Sequence, residues 1–140
     1  MRLTTEHQAS ARRIGQYQFN NTYQYVIARE ETHLQWLAAA LAGLSGRPEG
    51  VAASADRSGS ETQVIDADLE QERAFVARWK PLVDQVTHDR HRKMLDVILG
   101  ESLEHAGLFA DALAGHTDLL GRSDTGAGQR GRVLSTRWME

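Results

Sequence analysis

The chain has 140 residues, of which 41% are hydrophobic and 25% charged, and its formal net charge at pH 7 is −3. This length suits one domain with its own core, and the slightly acidic balance gives no reason to expect a nucleic-acid partner. Cysteine is absent, which excludes disulfides, thiolate nucleophiles, iron–sulfur clusters and thiolate zinc sites.

The first residues of the chain, Met1 to His7, contain no apolar signal segment. No window of the sequence approaches the length of a membrane span. We therefore expect a cytoplasmic protein without a membrane partner.

The N-terminal region predicts two helices, at about 4–18 and about 22–44. Between them, Phe19 to Thr22 offers a turn, in which Asn or Thr can cap the second helix. The alternative is a single helix of roughly forty residues, which would be far longer than usual.

Glu30 and His33 lie three residues apart in the second predicted helix, so they project from one face. The same face carries four further residues, Tyr23, Leu37, Leu41 and Leu44. A carboxylate and an imidazole facing a core are costly unless something compensates them, and inside helix bundles a metal ion often does so. A hydrogen-bonded pair without metal is the alternative.

A breaker-rich stretch runs from Gly43 to about Ser60 and contains glycine, serine and Pro48 but almost no large apolar residue. About twenty extended residues can span a short bundle. This stretch therefore predicts a long crossover between the second and third helices.

The third predicted helix has an apolar stripe that includes Leu69, Val76, Val83 and also Glu72. Stripe phase favours Glu72 as an inward carboxylate. Counting outward from a turn at Thr87 to Asp89 instead places Glu70 opposite His105. Both remain candidates, and Glu72 ranks first. Pro81 predicts a bend near Lys80.

The fourth predicted helix carries Glu101 and His105 four residues apart on its inward face, and Gly115 is its predicted stop signal. Glu104 lies about 100° around the helix from His105 and faces either a neighbour or solvent. Counting about the first turn places Glu6 opposite His33 and makes it a ligand candidate, but an exposed glutamate at a helix start is the favoured interpretation. The remaining histidines are predicted to lie at the surface: His7, His88, His91 and His116.

The segment from Thr117 onward is rich in glycine and arginine. We therefore predict a helical domain at 1–116 and a tail at 117–140. Val133, Leu134 and Trp138 either dock on the bundle or a partner, or belong to a loosely held terminus.

Three segments resemble the metal-binding helices of ferritin-like proteins, particularly bacterioferritins and rubrerythrins. They are 28–37, which contains Glu30 and His33, 68–72, which contains Glu72, and 98–105, which contains Glu101 and His105. The resemblance covers roughly residues 4–115. It implies an all-α, antiparallel four-helix bundle with a long crossover between helices 2 and 3.

The resemblance also implies a di-metal centre, in which Glu30 and Glu72 bridge or chelate while His33 and His105 bind terminally. The ligand from the first helix would fall on Glu6. Ser102 stands where the family has a glutamate, so Glu101 would have to substitute from the adjacent position.

We expect from this resemblance a metal-binding protein, with iron as the first choice and manganese or zinc as alternatives, because its ligands are carboxylates and imidazoles. Its chemistry would be oxidation–reduction with O₂ or peroxide, or iron handling, and it would form a homodimer. The alternative is a non-catalytic helical module for binding or assembly that has lost the metal centre. The sequence leaves open whether the protein is an enzyme.

Overall fold

The computed structural model describes residues 1–47 and 58–120, and within these ranges it contains four α-helices and no strand. The helices are α1 (Arg2–Ala11), α2 (Tyr17–Gly43), α3 (Glu61–Val83) and α4 (Asp89–Leu113). The predicted all-α class is confirmed. The alternative of one long N-terminal helix is wrong, because α1 and α2 are separate. None of the helices in the described ranges is long and apolar enough to cross a membrane.

The four helices form a bundle in which each helix packs against two neighbours. α1 lies against α2 and α3, and α4 lies against α2 and α3. Within the described ranges, the backbones of α1 and α4, and those of α2 and α3, lie farther apart, although some side chains meet across the bundle, as Tyr23 and Asp68 do. These two pairs therefore lie diagonally across the bundle, and every helix contributes one face to a shared interior.

An apolar core fills the part of the bundle that contains the end of α1, the first turns of α2 and α3, and the end of α4. Its members are Ala11, Ile14, Tyr23, Val26, Ile27, Val64, Ile65, Leu69, Ala106, Leu108, Phe109, Ala112, Leu119 and Leu120. Burial of each large apolar side chain in this cluster contributes roughly 2 kcal/mol relative to exposure.

The first connection differs from the predicted one, since α1 ends at Ala11 and α2 already begins at Tyr17. The Asn20 side-chain amide lies in the first turn of α2 and donates to the carbonyl oxygens of Ala11, at 2.9 Å, and Ile14, at 3.4 Å. Carbonyls at the end of a helix have no partner within the helix. Asn20 therefore hydrogen-bonds to carbonyl groups at the end of α1, whereas it was predicted to cap the start of the second helix.

A capping box begins α3. Ser60 Oγ accepts from the Gln63 backbone N–H at 3.3 Å, while the Gln63 side chain accepts from the Ser60 N–H at 2.9 Å. The neighbouring Glu61 Oε1 accepts from the Gly15 N–H at 2.5 Å. These bonds fix the start of α3 beside the connection between α1 and α2.

The predicted ends of the later helices are partly confirmed. α3 and α4 are joined by residues 84–88, which overlap the turn expected at Thr87, and Pro81 lies in the last turn of α3. Gly115 has a φ of +88°, a left-handed conformation that favours glycine and suits a helix stop.

The packed region extends beyond the domain boundary predicted at residue 116, because Leu119 and Leu120 are buried in the core. The proposed docking residues of the tail lie outside the described residues, as does the part of the predicted crossover at 48–57.

The inward face predicted for α2 does not continue to the end of that helix. Leu41 is 38% exposed and Leu44 66% exposed, whereas Tyr23 is buried. α1 has only 10 residues against 27 in α2. The last turns of α2 therefore extend past α1 and have no cover from it.

Candidate metal centre

The interior beside the apolar core is polar. Nine ionisable residues from all four helices are at most 6% exposed there: Glu6 and His7 on α1, Glu30 and His33 on α2, Asp68 and Glu72 on α3, and Glu101, Glu104 and His105 on α4. Burying charged groups is unfavourable unless they are paired with each other or with an ion. This set of residues is called the polar interior below.

Three residues of the polar interior converge on one point. Each of His7, Glu30 and Glu72 offers a ligand atom, and these three atoms lie within 4.8 Å of one another. His7 Nδ1 donates to Glu30 Oε1 at 2.8 Å, and His7 Nε2 lies 3.8 Å from Asp68 Oδ1. An imidazole and two carboxylates from three helices could hold a metal ion.

Three carboxylates near this point, those of Glu30, Glu72 and Asp68, favour the protonated form of His7. Burial by itself lowers the pKa of His7. The hydrogen bond to Glu30 and the charges of Glu30, Glu72 and Asp68 outweigh that effect and raise the pKa to about 9. The carboxylates that retain a proton on His7 also attract a divalent cation, which has to displace that proton to bind the ring.

Several buried polar atoms in this region have no hydrogen-bond partner. Across the described part of the chain five buried side-chain atoms are unpaired: His7 Nε2, Ser10 Oγ, Glu30 Oε2, Glu72 Oε2 and His105 Nε2. Four of the five belong to histidines and glutamates of the polar interior. Buried polar groups in native proteins nearly always have a partner, so the three unpaired atoms of His7, Glu30 and Glu72 fit the ligand set of a metal ion.

A second group of residues lies next to the first and shares Glu72 with it. His105 Nδ1 donates to Glu72 Oε1 at 3.2 Å, and His33 Nε2 donates to Glu101 Oε2 at 2.6 Å. The rings of His33 and His105 are stacked, with 6.2 Å between their centroids. The imidazoles predicted from α2 and α4 therefore do converge inside the bundle.

Glu101 is held by a cation as well as by an imidazole. Arg29 Nε and Nη2 donate to its two carboxylate oxygens, each at 3.0 Å. Burial raises the pKa of Glu101, but the hydrogen bonds and charges of His33 and Arg29 prevail and lower it to about 2. Glu101 is therefore ionised and paired at neutral pH.

Two tyrosines donate hydroxyl groups to carboxylates of the polar interior. Tyr23 donates to Asp68, and Tyr25 donates to Glu104. Tyr23 also packs against Phe109 with ring centroids 5.1 Å apart, so its predicted place in the core is confirmed. These hydrogen bonds help to orient both carboxylates.

The predicted ligand candidates divide into three groups. Six of them are buried in the polar interior, where each contacts a histidine, a carboxylate or a tyrosine: Glu30, His33, Glu72, Glu101, Glu104 and His105. Glu6 is buried too, which makes the expected exposure wrong, but it bonds Arg2 at 2.9 Å and is outside the convergent group. Glu70 is exposed and bonds Arg73 at 3.1 Å. Counting from the turn was therefore wrong, and stripe phase correctly favoured Glu72.

His7 was predicted to lie at the surface, and that prediction is wrong because its side chain is fully buried. The buried stripe of α1 consists of small or polar residues, including Thr4, Ser10 and Ala11. Hydrophobic periodicity therefore gave no signal there. The spacing of Thr4, His7 and Ala11, which places them on one helix face, was the only available indication.

A surface cleft reaches the polar interior. It has a volume of about 380 Å³, and its lining includes Glu30, His33 and Ser102. An apolar groove of about 350 Å³ shares Phe75 and Trp79 with this cleft. Of the three convergent residues, Glu30 lines this cleft, whereas His7 and Glu72 are fully buried behind it.

A scan against models of known protein families, a search of curated proteins and a search of solved structures each found no match to this chain. Conclusions about its function therefore rest on the geometry of its own residues.

Proposed function

We propose that this chain is a ferritin-like metalloprotein in which His7, Glu30 and Glu72 hold a transition-metal ion inside the bundle. The observation that carries this proposal is that each of the three convergent residues has a buried side-chain atom without a hydrogen-bond partner. Iron is the first choice of metal, with manganese or zinc as alternatives, because the ligands are imidazole and carboxylate.

The contacts between neighbouring helices support the ferritin-like topology. In each neighbouring pair, the residue number of the contact on the second helix falls as the residue number on the first helix rises. The contacts are His7–Glu30 and Ala11–Asn20 for α1 and α2, His7–Asp68 and Arg13–Gly59 for α1 and the start of α3, His33–Glu101 and Tyr25–Glu104 for α2 and α4, and Glu72–His105 and Lys80–Asp96 for α3 and α4.

This pattern favours an antiparallel bundle. Since α1 then runs opposite to both α2 and α3, we infer that α2 and α3 run in the same direction. Two consecutive helices that run in the same direction need a long connection between them. The predicted crossover follows from this inference.

A bound iron or manganese ion with an open coordination position would supply oxidation–reduction chemistry with O₂ or peroxide. The chain's own residues would provide the environment for it. Glu30 and Glu72 would offset the positive charge of the ion, Tyr23 fixes Asp68 beside His7, and the cleft borders the site at Glu30. We therefore favour an oxidoreductase or iron-handling role. The homodimer and the cytoplasmic location stay predictions.

Elemental analysis of the full chain tests metal binding directly. Protein reconstituted with Fe²⁺ or Mn²⁺ without oxygen and then desalted should retain metal in proportion to chain. A metal ion bound only by the native state should also raise the melting midpoint, with a stabilisation of about 3 kcal/mol when free metal is a hundred times Kd.

A pair of variants on α3 provides the matched control. Glu72→Gln removes one charged ligand at nearly constant volume and should abolish metal retention. Glu70→Gln makes the same chemical change two residues away at an exposed position and should leave metal content unchanged. Wild-type protein without metal, or equal retention by both variants, would contradict the proposal.

A second candidate function is a helical binding or assembly module without metal. It is favoured by the partners that some interior carboxylates already have, since Asp68 and Glu104 accept from tyrosines and Glu101 pairs with Arg29. This candidate predicts the same melting midpoint with and without Fe²⁺ or Mn²⁺.

A further inference from the structure

The polar interior contains a second position at which a cation could be expected. His33, Glu101 and His105 surround it from α2 and α4, and Glu72 reaches it from α3 through its bond to His105. A centre with two metal ions would need the Glu101 carboxylate as a ligand at this position, because it is the only carboxylate that contacts His33 among the described residues.

That carboxylate is already fully engaged by the protein. The Arg29 guanidinium binds both oxygens in a bidentate arrangement with two distances of 3.0 Å, and His33 Nε2 contacts the same group at 2.6 Å. The Glu101 side chain is only 1% exposed. Bidentate, charge-assisted pairs of this kind are strong and directional.

Arg29 is also held from its other side. Its guanidinium carbon lies 5.7 Å from the centroid of the Trp36 ring, a cation–π contact. Arginine does not lose its proton in proteins, so a metal ion cannot displace a proton from Arg29 as it can from an imidazole. A divalent ion on Glu101 would have to expel the whole guanidinium group or accept a fixed positive charge as its close neighbour.

We propose that this chain binds a single metal ion, at His7, Glu30 and Glu72, and that the Arg29 guanidinium takes the place of a second ion at Glu101. This inference rests on the proposed metal-binding function. Glu101 and His33 are then structural partners of Arg29 and do not ligate metal. Among the described residues, no arginine pairs with His7, Glu30 or Glu72.

The test counts the ions bound to the full chain. Mn²⁺ is titrated into metal-free wild-type protein, the bound ion is measured by elemental analysis after desalting, and electron paramagnetic resonance monitors the spin signal. We expect about one ion per chain and the signal of an isolated ion. Two ions a few ångströms apart would couple and change that signal.

Two variants of Arg29 test its role. Arg29→Met removes the charge with a side chain of similar length and should raise the content from about one to about two ions per chain. Arg29→Lys retains a positive charge and should remain at about one.

The outcomes separate this inference from the proposed function. Two ions in the wild-type chain would overturn the inference but leave metal binding intact, whereas no ion would overturn both. A single ion in folded Arg29→Met would overturn the blocking role of Arg29. If that variant does not fold, the wild-type count and spin signal still decide between one ion and two.

Discussion

The stability of the metal-free protein should fall as pH rises from 6.5 to 9, because His7 loses its proton in this range. Its pKa is raised from 6.5 to about 9 in the folded state. A raised pKa means that protonated His7 stabilises the fold fully below pH 6.5 and that this contribution is lost as pH passes through the folded value. At roughly 1.4 kcal/mol per pH unit, the loss is about 3 kcal/mol.

Urea unfolding in the presence of a chelator, at pH 6.5 and pH 9, measures this loss. His7→Gln is the control, since glutamine can donate to Glu30 but does not titrate. The wild-type chain should lose about 3 kcal/mol more than the variant between the two pH values. Equal losses would refute the idea that the interior carboxylates hold a proton on His7.

The stabilisation that bound metal provides should increase with pH, in contrast to the stability of the metal-free protein. An ion that binds His7 has to displace its proton, so the stabilisation produced by a fixed concentration of Mn²⁺ should be larger at pH 8 than at pH 6.5. The same unfolding curves, repeated with Mn²⁺ in place of the chelator, provide the comparison. A stabilisation that is the same at both pH values would mean that His7 is not a ligand.

Two further predictions concern the fold. Leu108→Ala should cost roughly 2–5 kcal/mol because it empties a fully buried core position, whereas Leu103→Ala, at a position 55% exposed on the same helix, should cost about 0.5 kcal/mol or less; urea unfolding measures both, and equal losses would contradict the assigned faces of α4. Ser60→Ala should cost about 1 kcal/mol by removing the capping box of α3, while Ser58→Ala, at an exposed position outside the helix, should have little effect. Thermal unfolding that does not distinguish these two serine variants would contradict the described start of α3.

The helical elements were predictable where apolar residues recur regularly and where strong stop signals follow. On α4, Ile98 and Leu108 are buried on the same face as Glu101 and His105, and Gly115 follows the end of the helix. The first connection was not predictable in the same way. Asn20 is as good a cap for a following helix as for a preceding carbonyl, and only the packing of α1 against α2 decides between these roles.

The candidate site was predictable where polar residues lie on an apolar stripe, as Glu30, Glu72 and His105 do. The burial of His7 was not predicted, because the buried face of α1 contains hardly any large apolar residue that would identify it as the inward face. The pairing of Arg29 with Glu101 is a matter of how α2 and α4 align, since the two residues are 72 positions apart. Such alignment depends on tertiary packing and has no local signature.

The short α1 gives the two ends of this molecule different mechanical properties. Ten helical residues rise about 15 Å, whereas the 27 residues of α2 rise about 40 Å. At the end that contains the apolar core, four helices enclose aromatic and aliphatic side chains. At the other end only α2, α3 and α4 meet, around Phe75 and Trp79. Because fewer helices surround the three-helix end, we expect it to open locally before the four-helix end does. We therefore expect access to the acidic interior at one end and most of the resistance to denaturation at the other.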